Sequence, residues 1–136
     1  MRTVIQKVTH ASVSIKDKCK AKIGKGFLVL LGIEEADGQE DIDWLCKKIV
    51  NLRVFEDEAG VMNKSILEED GEILVISQFT LMASTKKGNR PSYIKAARHE
   101  ISIPLYEKFC TTLSRVLGKE VGTGEFGCWE IGRAHV

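Results

Sequence analysis

The chain predicts a single α+β domain with mostly antiparallel strands and two main helices, and three observations carry that prediction. Short apolar stretches of strand length cluster before and between two helical patterns. Turn residues, rather than helices, join most of those stretches. At 136 residues the chain suits one compact core with no linker. Strands linked mainly by turns argue against a doubly wound sheet, and no internal repeat is visible.

The first element expected is a hairpin. Apolar Ala11, Val13 and Ile15 alternate with Ser12 and Ser14, and after Asp17-Lys18 the alternation resumes with Cys19, Ala21 and Ile23. Gly24 and Gly26 punctuate the chain before 27–33, a continuous apolar run expected to be buried on both faces. Asp37 with Glu40 three residues on resembles a capping box, and Ile42, Leu45, Cys46, Ile49 and Leu52 behind it form one apolar helical stripe. Short extended pieces are expected at 53–55 and 65–67 around a turn at Gly60, and Asp70-Gly71 turns the chain into a central strand over 72–81. A polar loop at 84–92 leads to a second helix that starts near Pro104, buries Leu105, Phe109, Leu113, Val116 and Leu117, and stops at Gly118.

Hydrophobic residues at 43% and charged residues at 29% match a soluble globular protein and exclude disordered, collagenous and membrane compositions. The longest apolar run is too short to cross a bilayer and no cationic segment precedes an apolar signal core, so a cytoplasmic protein with no membrane partner is expected. Cys19, Cys46, Cys110 and Cys128 are widely spaced with no Cys-x-x-Cys pair, which predicts buried free thiols and neither a zinc site nor a disulfide framework. Charge is segregated along the chain. Glu34, Glu35, Asp37, Glu40, Asp41 and Asp43 form an acidic run, whereas Lys86, Lys87, Arg90, Lys95 and Arg98 occupy a stretch without acids that could face phosphates.

Familiar hydrolytic machinery is missing: there is no Gly-x-Ser-x-Gly elbow, no His-Glu-x-x-His helix and no phosphate loop ending in Lys-Ser or Lys-Thr. With His10 in a strand, His99 in the basic stretch and His135 near the C-terminus, a triad is not expected. The notable segment is Ser77-Gln78-Phe79-Thr80-Leu81, where a buried run ends abruptly in side chains that donate and accept hydrogen bonds. Groups of this kind at a strand end can line a pocket, though Ser and Thr are also ordinary strand residues.

Many short motifs, in order, resemble the D-aminoacyl-tRNA deacylase family. They are Val4-Ile5-Gln6 with Thr9 and Ala11-Ser12-Val13; GFLVLLG at 26–32; Asn51-Leu52-Arg53 with Phe55; Gly60 with Met62-Asn63; SQFTL at 77–81; Lys87-Gly88 with Arg90-Pro91-Ser92; Leu105-Tyr106; and Thr123-Gly124 before Phe126-Gly127. The resemblance covers 1–127 and implies a barrel-like sheet and hydrolysis of the ester between a D-amino acid, or a misattached glycine, and the tRNA 3′ end. It implies no cofactor and no metal. Its partners would be an aminoacylated tRNA and a second copy of the chain in a homodimer. By the same resemblance Ser77, Gln78 and Thr80 are candidate catalytic residues, Phe79, Lys7 and Met62 candidate substrate-binding residues, and Lys86, Lys87 and Arg90 candidate tRNA contacts. Thr80 would polarise the ester carbonyl while the RNA's own hydroxyl assists; the rival scheme makes Thr80 a covalent nucleophile.

The chain departs from the family pattern in two places. Lys7 stands where an arginine is usual, which keeps the charge but loses the planar fork. After Gly127 the family continues to a strand carrying a Gly-Pro pair, whose cis peptide excludes L side chains across the dimer interface; here 128–136 reads CWEIGRAHV, and Pro91 and Pro104 do not follow glycine. Residues 130–136 back-translate to the start of a common sequencing adapter, so 128–136 is expected to be non-native. The expected consequences are a missing C-terminal strand, an unpaired sheet edge, poor folding or dimerisation, and weak chiral selectivity. Two other functions fit parts of the sequence: a non-catalytic nucleic-acid-binding module resting on the basic stretch, and a small-molecule amidase using Thr80.

Overall fold

The computed structural model describes residues 1–124 and 130–135. Its elements run β1 (Arg2–Val8), β2 (His10–Ile15), β3 (Lys18–Ile23), β4 (Gly26–Gly32), α1 (Gln39–Asn51), β5 (Phe55–Glu56), β6 (Met62–Lys64), β7 (Glu72–Ser77), a 3₁₀ turn (Phe79–Met82), α2 (His99–Leu117), β8 (Gly122–Thr123) and β9 (Glu130–His135). This is the expected α+β domain. One sheet has the order β1-β4-β7-β8, a second the order β3-β2-β9, and β5 and β6 form a small ribbon. The β4–β7 and β7–β8 pairings are parallel and the others antiparallel.

The run 27–33 is buried on both faces because its side chains alternate between two cores. Phe27, Val29 and Leu31 join Ile73 and Val75 against α1 and α2, where Ile42, Cys46, Ile49, Phe109 and Leu113 complete the packing. On the other face Leu28 and Leu30 join Leu74 and Ile76 against Val8, Ala11, Val13 and Ile23 of the second sheet and its approach. The first sheet is thus the middle of three layers. Gly26 permits the close β4–β7 approach, since a Cβ there would lie 1.7 Å from the Glu72 carbonyl oxygen.

The hairpin of β2 and β3 forms as expected, turning through Lys16 and Asp17 at φ 49° and 63°. Strand β1 was not foreseen as a separate element; it pairs with the later β4.

Several boundaries differ. The N-cap of α1 is Gly38, whose N–H donates to Asp41 Oδ2 at 2.9 Å, because the Asp37 carboxylate is already taken by the Met1 amine (2.7 Å) and the Glu34 N–H (2.7 Å). Residues 65–67 are not extended: Ile66 begins a turn in which Ser65 Oγ accepts the Glu68 N–H, and the ribbon partner is β6 instead. The central strand stops at Ser77 rather than reaching residue 81.

Helix α2 begins at His99, one full turn before Pro104. Its first turn closes on the Arg98 carbonyl, which accepts N–H groups from Ile101 (3.0 Å) and Ser102 (2.8 Å), so a proline that lacks its own N–H is carried inside the helix. The stripe and the stop at Gly118, φ 85°, are as expected.

Cys46 is buried and Cys110 half-buried, but Cys19 is exposed on β3, correcting the expectation of a buried thiol there. Residues 126–128, including Cys128, lie outside the described residues.

The expected bare edge is also corrected. Strand β9 pairs with β2 from His10↔His135 to Ile15↔Glu130. Ladder hydrogen bonds use only the backbone, so an open edge accepts an extended segment of almost any sequence.

Candidate active site

The candidate site lies where β7 ends. Pairing with β4 continues through Leu31↔Ser77, and the Gln78 N–H still donates to the Leu31 carbonyl at 2.7 Å. The chain then tightens into the 3₁₀ turn, with Leu81 N–H donating to Gln78 O (3.3 Å) and Ala83 N–H to Thr80 O (3.2 Å). That turn folds onto Gly32, where a Cβ would be 3.0 Å from Met82 Sδ, 3.1 Å from Leu81 Cβ and 3.3 Å from Gln78 O. Met82 is buried as the plug, and Arg2 Nη1 holds the turn from the β1 side by donating to Leu81 O at 3.1 Å.

This geometry leaves Ser77, Gln78 and Thr80 half-buried and Phe79 58% exposed, so the polar cluster is not walled into the core. Gln78 Nε2 donates to Thr80 Oγ1. A threonine hydroxyl has one proton and two lone pairs. Because the Gln78 amide fills a lone pair, the proton of Thr80 remains available to a carbonyl or oxyanion placed beside it.

After the turn the chain enters the basic loop, which is pinched at its base by reciprocal hydrogen bonds between Ser84 and Ser92, both 2.8 Å. Lys86, Lys87 and Arg90 are exposed on that loop and, among the described residues, none forms an ion pair. The pinch returns Tyr93 to the site, where its ring meets Phe79 edge-on at 5.2 Å and 72°. Beyond it, Ala97 N–H donates to Ile33 O at 2.8 Å and Arg98 pairs with Glu35 at 3.2 Å, joining the basic and acidic runs through a pair too exposed to add much stability.

Lys7 and Met62 are not part of this cluster within one chain. Lys7 lies opposite Phe27, four residues along β4 from Leu31, or about 13 Å from the Ser77 end. Its Nζ donates to Val54 O at 3.2 Å and lies 5.8 Å from the Phe55 ring centroid. Met62, 66% exposed, is on the ribbon that Lys7 borders. The turn before it is organised by Asp57, whose carboxyl is held below the usual range mainly by the Val61 N–H, with help from the Ala59 N–H and Asn63. Among the described residues no three His, Cys, Asp or Glu side chains are grouped to hold a metal, and no helix is long and apolar enough to cross a membrane.

Sequence reasoning missed Tyr93 and Arg2. An aromatic inside a basic stretch is the signal that could have flagged Tyr93; Arg2 acts through a backbone carbonyl and left no such signal.

The chain matches the family model described as D-Tyr-tRNA(Tyr) deacylase over residues 4–130. A D-aminoacyl-tRNA deacylase of Bacteroides thetaiotaomicron is 77% identical over 127 residues, covering 93% of this chain and 85% of that protein. One of Porphyromonas gingivalis is 61% identical over the same coverage. A solved structure described as a c-Myc DNA unwinding element binding protein superposes with a TM-score of 0.94 at 37% identity, over 99% of this chain and 91% of that one. Another, described as a probable eukaryotic D-amino acid tRNA deacylase, has a TM-score of 0.82 at 16% identity over 98% and 92%, and shares the fold.

Proposed function

Because this chain belongs to the D-Tyr-tRNA(Tyr) deacylase family, we propose that it hydrolyses the ester between a D-amino acid and the tRNA 3′ end at the cluster of Ser77, Gln78, Phe79 and Thr80. The observation that carries this reading is the Gln78-to-Thr80 hydrogen bond at an accessible strand end, which leaves the Thr80 proton free to donate. Water adds to the ester carbonyl, the oxyanion takes a hydrogen bond from Thr80, and the bond to the ribose oxygen breaks with a proton passing to that oxygen. The ribose hydroxyl next to the ester is already in place to assist, so no protein nucleophile is required. Free D-amino acid and tRNA leave. Glycine, with no side chain to exclude, is a second substrate, and the reaction belongs to the cytoplasm, where tRNA is charged.

A homodimer is the assembly the family resemblance implies, and Lys7, about 13 Å along the sheet from the Ser77 end, is a candidate contact for a part of the substrate away from Thr80.

The catalytic scheme is tested with D-tyrosyl-tRNA whose terminal ribose lacks the neighbouring hydroxyl. Hydrolysis should fall sharply. An undiminished rate would remove the ribose hydroxyl from the mechanism, and an acyl group trapped on Thr80 would establish the covalent scheme instead.

A binding module without catalysis is the second reading, favoured by the exposed lysines and by the DNA-binding description of the related structure. A gel shift run beside the hydrolysis assay separates the two, since retention without turnover selects the module.

A further inference from the structure

We infer that Tyr93 is a positioning residue for the penultimate nucleotide of the tRNA, an assignment that rests on the deacylase reading. Phe79 and Tyr93 are 58% and 39% exposed, although their rings touch edge-on at 5.2 Å. An edge-on pair leaves flat ring surface uncovered, and two such aromatics at the foot of an exposed basic loop are the ingredients of a single-stranded nucleic-acid platform.

The cations are Lys86, Lys87 and Arg90, on a loop whose base is closed by the Ser84–Ser92 bridge immediately before Tyr93. The backbone therefore ties the phosphate-binding charge to the second ring.

The order of the bases follows from the order of the rings. Phe79 adjoins Thr80 and so belongs to the adenosine that carries the ester. Tyr93 lies across the corner toward the basic loop and takes the next base in the 5′ direction. A 72° angle between the rings prevents the two bases from stacking on each other while each lies on its own ring. The RNA must turn between them, which an unpaired 3′ end can do.

The test compares single-turnover hydrolysis of D-tyrosyl-tRNA and D-tyrosyl-adenosine by the wild type, Tyr93→Phe and Tyr93→Leu, titrating enzyme over substrate. For Tyr93→Leu on the tRNA, the half-saturating enzyme concentration should rise about 5- to 100-fold, the loss expected for one stacked base. The rate at saturation should hold, and Tyr93→Phe should match the wild type. D-tyrosyl-adenosine has no penultimate base, so Tyr93→Leu should cost it much less than it costs the tRNA.

An equal penalty on D-tyrosyl-adenosine would move Tyr93 to the terminal base and overturn the assignment. So would a fall confined to the saturating rate, an unchanged half-saturating concentration, or a Tyr93→Leu chain that alters its oligomeric state on size exclusion, which would make the corner a subunit contact. If the wild type cleaves neither substrate, the deacylase reading fails and this inference falls with it.

Discussion

Replacing Gln78 by Glu changes little in shape and reverses the hydrogen bond on which the proposed chemistry depends. The Gln78 amide donates to Thr80 Oγ1, whereas an ionised carboxylate can only accept. In Gln78→Glu the Thr80 proton turns to the carboxylate and is lost to the substrate. Loss of one oxyanion donor costs about 10²- to 10³-fold in rate, or about 2.7 to 4 kcal/mol. The added charge works in the same direction: at roughly 5 Å from the oxyanion and an effective dielectric of about 20, it raises the barrier by about 3 kcal/mol. The stability cost is smaller, because a half-exposed hydrogen bond contributes only about 0.5 to 1.5 kcal/mol. Single-turnover hydrolysis of D-tyrosyl-tRNA at saturating enzyme, with thermal melts as a folding control, should show Gln78→Glu and Thr80→Val each slowed at least about 10²-fold. Gln78→Met, which removes the amide without redirecting the proton, should lose about 10-fold or less. A Gln78→Glu enzyme at the wild-type rate would refute the donor assignment.

Four further outcomes are expected. Affinity for tRNA should fall steeply with salt, and replacing Lys86, Lys87 and Arg90 by Ala should flatten the slope of log affinity against log salt by about 2 to 3; an unchanged slope removes the loop from the interface. Burial pushes the Cys46 and Cys110 thiols from 9.0 up to about 12, so at pH 8 iodoacetamide should label Cys19 well before either. Because the folded values lie above the unfolded ones, the contribution of these thiols to stability is complete below pH 9 and is lost as pH rises toward 12. Melts should therefore decline less steeply across that window in the Cys46→Ala, Cys110→Ala double variant, and identical slopes would contradict the burial argument. Tyr106→Phe should lower stability by about 0.5 to 1.5 kcal/mol in denaturant titration, since its buried hydroxyl donates to Val75 O at 3.1 Å; an unaffected midpoint would mean that the bond contributes nothing.

Most of the layered core was legible because 27–33 and 73–76 are apolar at every position, which only a strand covered on both faces tolerates. Strand β1 was harder to read, since it mixes half-buried and exposed positions and its partner β4 lies beyond an intervening hairpin. Local signals misled where a distant group had taken the residue. Asp37 has the look of a helix cap, but the Met1 amine and the Glu34 N–H occupy it. Pro104 resembles a first helical residue, yet Arg98 closes an earlier turn. At the site, Ser77, Gln78, Phe79 and Thr80 were contiguous in sequence and therefore visible together. Tyr93 was hidden because only the Ser84–Ser92 pinch returns it to Phe79.

The decisive measurement is a time course of D-tyrosyl-tRNA with the purified 136-residue chain, run against buffer and against Thr80→Ala. The wild type should release D-tyrosine well above the buffer rate, and Thr80→Ala should lose most of that excess. Equal release by the wild type and Thr80→Ala, or none above buffer from a folded wild type, would contradict catalysis at the end of β7.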